Sequence, residues 1–121
     1  MALKHYRELK TWQLAVDLVE EIYRLTATFP PEEKYGLISQ MRRAAVSIPA
    51  NIAEGYGRSH RREYLHHLSY SEGSLRELET HSIIAGRLGM VEKVEAGKAW
   101  ALMQEVGKML RAMSRKLNPN P

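Results

Sequence analysis

Gln40-Met41-Arg42-Arg43-Ala44-Ala45-Val46-Ser47-Ile48-Pro49-Ala50-Asn51-Ile52-Ala53-Glu54-Gly55 reads as an amphipathic helix with a proline inside it. Met41, Ala45, Ile48 and Ile52, with Ile38 just upstream, recur at alternating three- and four-residue steps and so share one helical face. Gln40, Arg43, Ser47, Asn51 and Glu54 step by three, four, four and three and make a polar stripe beside it. The apolar rhythm continues on both sides of Pro49. Proline offers no N–H to the Ala45 carbonyl and costs about 3 kcal/mol in a helix interior unless the chain bends or restarts. A kink or break is therefore expected near Pro49. Ser47 is suited to cap a restart, because Pro49 would then sit in a first turn, where a missing N–H is harmless.

Working outward from this stretch, the same period recurs three more times. Upstream, Ala15, Leu18, Val19, Ile22, Leu25 and Phe29 form one stripe, which predicts a helix over about 9–28. The second helix is expected over 34–56, with Pro31, Glu32 and Glu33 suited to its electropositive start. Downstream, Tyr64, Leu68, Ser71, Leu75, Leu78, Ser82 and Ala85 predict a third helix over 60–88, with Ser59 as N-cap and Gly89 just past its end. Met103, Val106, Leu110, Met113 and Leu117 predict a fourth over 92–117, stopped by Asn118-Pro119-Asn120-Pro121. No segment alternates with period two. The expected fold class is all-α: residues 1–121 as a single domain, an antiparallel up-down-up-down four-helix bundle with short connections. Trp12, Val16 and Tyr23 lie beside the first stripe and Trp100, Leu102 and Met109 beside the fourth, so each of these helices has either a wide core-facing arc or a second face for another subunit.

The composition narrows the function by exclusion. Zero cysteines among 121 residues rule out a disulfide scaffold, thiolate metal sites, iron–sulfur clusters and cysteine nucleophiles. The N-terminus lacks the apolar run of a signal peptide, and no stretch approaches the ~20 uncharged residues of a membrane span. A soluble, cytoplasmic protein with no membrane association is expected. Glu63 and His66 have the Glu-x-x-His spacing of di-metal bundles, but only one such motif is present, and the helical phase leaves both on the flank. Gly55-x-Gly57 lacks a third phosphate-loop glycine, and neither Gly97-Lys98 nor Gly107-Lys108 is followed by Ser or Thr. No enzymatic activity, metal or cofactor is expected.

Charge points elsewhere. The net +4 is the sum of −2 over residues 1–33, +4 over 34–68, −2 over 69–97 and +4 over 98–121. Arg58, Arg61 and Arg62 gather with His60, His66 and His67 around the second loop, and Lys108, Arg111, Arg115 and Lys116 line the last helix. In an antiparallel bundle both groups fall near one end, and a homo-oligomer would multiply them. With Arg42 and Arg43, these are the candidate nucleic-acid contacts, for RNA or DNA. Bases near a helix C-terminus also complement its dipole, and loop arginines are commonly solvated. The polar stripe is either a solvated face or a network in which Arg43 meets Glu72 or Glu79.

Tyr35-Gly36-Leu37, the Gln40–Gly55 run, Tyr64-Leu65 and Ser71-Glu72-Gly73-Ser74-Leu75-Arg76-Glu77-Leu78-Glu79 together resemble the 23S rRNA intervening-sequence protein family. Leu9, Trp12, Ala15, Tyr23, Phe29 and Pro30 look like that family's first helix. The resemblance covers residues 6–117 and is most specific in Ser-Ile-Pro-x-Asn-Ile-Ala-Glu-Gly. It implies a left-handed four-helix bundle and a homo-oligomer, with members forming ring-shaped homopentamers. The family takes its name from reading frames within insertions in large-subunit rRNA genes. Related basic pentameric bundles act as accessory proteins to reverse transcriptases, so a nucleic-acid-handling protein is an alternative partner. The structural or interface candidates along the polar stripe and these matching runs are Gln40, Ser47, Pro49, Asn51, Glu54, Gly55, Glu72, Ser74, Glu77 and Glu79.

Overall fold

The structure, a computed structural model, describes residues 5–118; Pro119–Pro121 of the expected helix-stopping tail lie outside it. The chain forms α1 (Lys10–Thr26), α2 (Leu37–Tyr56), α3 (Arg61–Arg87) and α4 (Lys93–Leu117), with short 3-10 turns at Tyr6–Glu8 and Pro31–Glu33. There is no strand among the described residues. Each helix touches two others, in the cyclic order α1, α2, α3, α4 and back to α1. Numbers fall along α2 as they rise along α3 in the pairs Asn51–His67, Ile48–Ser71 and Ser47–Ser74, so these helices run antiparallel. Glu79–Gln104 and Glu72–Ser114 do the same for α3 and α4.

The predicted stripes form the core. Ala15, Leu18, Ile22, Leu25 and Phe29 are buried against Met41, Ala45, Ile48, Ile52, Leu68, Leu75, Leu78, Ala85, Met103, Val106 and Leu110. Of the extra apolar residues, Trp12, Val16, Leu102 and Met109 are half-buried, whereas Tyr23 and Trp100 remain 43% and 39% exposed.

Two details of the ends differ from expectation and a third agrees with it. Pro31–Glu33 does not open α2 but forms its own turn, because Gly36 has a non-helical backbone (φ −108, ψ −117) that separates the two. The Glu33 carboxylate still caps the helix, accepting the Leu37 N–H at 3.1 Å. His60, not Ser59, is the residue preceding α3, and it makes no side-chain cap. Gly89 does what a residue past a helix end should: at φ +76 it lets its own N–H reach the Gly86 carbonyl and the Met90 N–H reach Ala85, each near 3 Å.

Pro49 neither breaks α2 nor starts a new helix; it is buried within one continuous element. The cost of about 3 kcal/mol is outweighed because Met41 precedes it and Ile48 and Ile52 flank it in the same core, each contributing about 1.5–3 kcal/mol by burial. Ser47 is accordingly not a cap. Its hydroxyl accepts from Ser74 at 2.9 Å and from the Asn51 amide at 3.0 Å, while Asn51 Oδ1 lies 3.1 Å from His67 Nδ1. Fully buried Ser71 donates to the Ile48 carbonyl at 2.9 Å. Ser47 and Asn51 of the polar stripe thus form a hydrogen-bonded seam between α2 and α3, while Gln40 and Glu54 stay exposed outside that seam. Arg43 is not in it: the residue is exposed and pairs with neither glutamate. Glu72 and Glu79 turn instead toward α4, accepting from Ser114 and Gln104, so they lie on a different side of α3.

Gly55 sets how closely the seam can approach. A Cβ there would lie 2.8 Å from the His67 Cβ and 3.0 Å from a Tyr64 ring carbon. Tyr64 beside it has its phenol pushed above the usual tyrosine range, first by burial and then by the neighbouring Tyr56. A raised acid holds its proton more tightly folded than unfolded, so this stability is present below pH ~10 and is lost as pH rises above it. The urea midpoint is expected to fall as pH rises above about 10, and Tyr64→Phe is expected to flatten that decline. An equal decline in the variant would assign it to other groups.

Candidate nucleic-acid interface

The turn between α2 and α3, the end of α4 and the start of α1 form one end of the bundle, because each helix reverses its predecessor. Arg61, Arg62, His60 and His66 are exposed there at the opening of α3, and Arg115 and Lys116 are exposed in the last turn of α4. Arg7 and Lys10, also exposed, join from the chain's start. The sequence reading missed those two, since they stand in a segment of net negative charge. Ser114 meets Glu72, so α4 stops level with the third turn of α3, leaving Arg115 and Lys116 about 12–15 Å from Arg61 and Arg62 along the axis. That gap exceeds the ~8 Å Debye length at physiological salt but lies well inside the ~30 Å length at ~0.01 M, so at low salt the two groups act as one field.

Not every candidate cation is free at this rim. Arg58 donates to Glu54 at 2.8 Å with both side chains about half exposed, a pair worth at most about 1 kcal/mol that leaves the guanidinium accessible. Arg111 leans back over Gly107, whose absent Cβ would lie 3.2 Å from the guanidinium, and so points along α4 away from the rim. Lys108 sits nearly a turn further from the end. Both are exposed, but at mid-length of the bundle.

Arg42 and Arg43 stand at the opposite end, in the second turn of α2. Arg42 is committed to the fold: Nε donates to buried Thr26 Oγ1 at 2.9 Å, a terminal nitrogen reaches the Tyr23 carbonyl at 3.4 Å, and the guanidinium lies 4.4 Å from the Tyr23 ring centroid. It therefore belongs with the packing residues rather than with a free basic surface. Among the structural candidates, Ser47, Asn51 and Ser74 form the seam, Pro49 and Gly55 are buried in it, and Gln40 is solvent-facing. Glu77 lies on the outside, 3.5 Å from His81. Glu63 and His66 are both exposed, on the flank where the helical phase puts them.

The site is a convex cationic end, suited to holding a polyanion by charge. Among the described residues no helix is long and apolar enough to cross a membrane. Residues 7–112 match the family described as 23S rRNA-intervening sequence protein. No curated protein matches the chain.

Proposed function

The chain belongs to the 23S rRNA-intervening sequence protein family, and from that premise we propose that it is a non-enzymatic bundle that binds nucleic acid through its basic end. The observation that carries this reading is the concentration of Arg7, Lys10, Arg61, Arg62, Arg115 and Lys116 at one end, all exposed and, among the described residues, none held in an ion pair with a carboxylate. Cations that serve only to complement a helix dipole belong in last turns; Arg61 and Arg62 stand instead at the start of α3, where the dipole disfavours them. Their placement is costly for the helix and profitable only toward an external anion. The family's name makes large-subunit rRNA the first ligand to try, and the action would be cytoplasmic. In an electrophoretic or filter assay, RNA or DNA is expected to bind with affinity falling steeply as salt rises. No retention at low salt would end the reading.

A second reading, a self-assembling adaptor for a nucleic-acid-handling protein, is favoured by a separate observation. Ile83 and Trp100 are exposed on an apolar cleft of about 610 Å³ between the end of α3 and the start of α4, and exposed Leu88 and Val94 follow its lining residues Arg87 and Lys93 in the chain. Covering such surface is the usual purpose of an oligomer contact. Light scattering at micromolar concentration is expected to give a multiple of the 13.9 kDa chain mass; a monomer would exclude the ring and the adaptor built on it.

A further inference from the structure

Between α1 and the start of α2, away from the basic rim, runs an open groove of about 650 Å³ lined by Tyr23, Lys34, Tyr35, Ile38, Arg42 and Arg43, among others, and, among the described residues, by no carboxylate. Its two tyrosines are unusually available. Tyr35 is 87% exposed and Tyr23 43%, and each has a cation near its ring: Lys34 Nζ lies 5.5 Å from the Tyr35 centroid and the Arg42 guanidinium 4.4 Å from that of Tyr23. Arg42 is held in place by Thr26, so the Tyr23–Arg42 pair is a fixed flat surface. Arg43 is exposed and engages no acidic side chain. A ring as exposed as that of Tyr35 adds almost nothing to the core, and three cations without a counter-charge add repulsion.

Flat aromatic faces interleaved with cations meet the two requirements of an unpaired nucleotide strand: surfaces on which bases stack, and charges that follow its phosphates. A duplex buries its base faces against one another and offers such a groove only phosphate. We propose that this groove binds unpaired nucleobases, with Tyr35 and the Tyr23–Arg42 pair as stacking surfaces and Lys34 and Arg43 on the flanking phosphates, so that the protein prefers single-stranded to double-stranded nucleic acid. The proposal rests on the nucleic-acid reading of the basic end and adds a discrimination that charge alone does not provide.

The test is fluorescence anisotropy with a labelled, unstructured single-stranded RNA of about 15 nucleotides and a blunt duplex of the same length, at one low salt concentration. Stacking losses measured by truncation are worth about fivefold or more in affinity, so Tyr35→Leu is expected to weaken single-strand binding by at least that factor and leave duplex binding within about twofold. Tyr35→Phe, which keeps the π-face, is expected to bind like wild type. Because the ring is outside the core, neither variant threatens folding. Undiminished single-strand binding by Tyr35→Leu, or equal losses for both ligands, would overturn the groove. If Arg61→Gln/Arg62→Gln weakens both ligands while Tyr35→Leu weakens neither, the basic end stands and the groove falls. Binding of neither ligand by wild type would overturn both.

Discussion

Replacing Arg61, Arg62, Arg115 and Lys116 together by glutamine is expected to lower affinity for RNA or DNA by a hundredfold or more near 0.1 M salt. Each phosphate contact contributes about 0.7 to 0.9 to the slope of log K against log salt, so losing four should flatten that slope by about 3. The fold should tolerate the change, because all four side chains are exposed and, among the described residues, none carries an internal salt bridge; such surface substitutions usually stay within about 0.5 kcal/mol each. Arg58 is omitted because it is shared with Glu54. Arg42→Gln should act differently: it breaks the bond to buried Thr26 and the contact with Tyr23, so it is expected to lower stability and to weaken single-strand binding in the groove without flattening the salt slope of duplex binding. Titrations at several salt concentrations read both quantities, and an unchanged slope in the fourfold variant would remove the rim from any account of binding.

The largest effect on stability is expected at Gly55. In an ordinary helix, glycine to alanine gains about 1 kcal/mol. Here the new methyl would meet the Cβ of His67 at 2.8 Å and the Tyr64 carbonyl oxygen at 3.3 Å, atoms that cannot move without moving α3. Overpacking of this kind costs about 1–3 kcal/mol, so Gly55→Ala should be a net loss, and Gly55→Leu should cost about 3 kcal/mol or more. Gly73 supplies the internal comparison, with nothing within 4 Å of its absent Cβ. Gly73→Ala should therefore stabilise by up to about 1 kcal/mol, a Tm rise of about 3–5 °C. Thermal unfolding of the three variants gives the answer, and a stabilised Gly55→Ala would contradict the close approach of α2 and α3.

The helices were readable in the sequence because a buried face leaves a mark every three or four residues, and the four stripes survive into the core with only Val19, Ile38, Tyr64, Ser82, Met113 and Leu117 partly exposed. What lies across from each stripe left no such mark. Arg42 and Arg43 are neighbours about 100° apart on one helix, and only knowing on which side α1 packs tells which of them is captured by Thr26. The same ignorance of rotation paired Arg43 with glutamates that face α4. The level of Lys108 and Arg111 depended on how far α4 slides past α3, which the turn between them sets and helical periodicity does not. The aromatic groove escaped for a different reason: Lys34 and Tyr35 belong to a turn, and they become neighbours of Tyr23 only when α2 folds back along α1.

The seam between α2 and α3 also has a consequence for which alignment the chain adopts. Rows of buried residues in both helices recur every seven residues, as in Met41, Ile48 and Gly55 or Ser71, Leu78 and Ala85. Grease alone would let one helix slip past the other by a heptad and find another serviceable core. Three cross-helix polar pairs, His67–Asn51, Ser71–Ile48 and Ser74–Ser47, exist in only one of those alignments, and the notch at Gly55 admits α3 at only one height. At about 1 kcal/mol for each hydrogen bond, the pairs favour that alignment by about a hundredfold over a slipped one. They work as an index mark, which gives a short, repetitive bundle one setting in place of several.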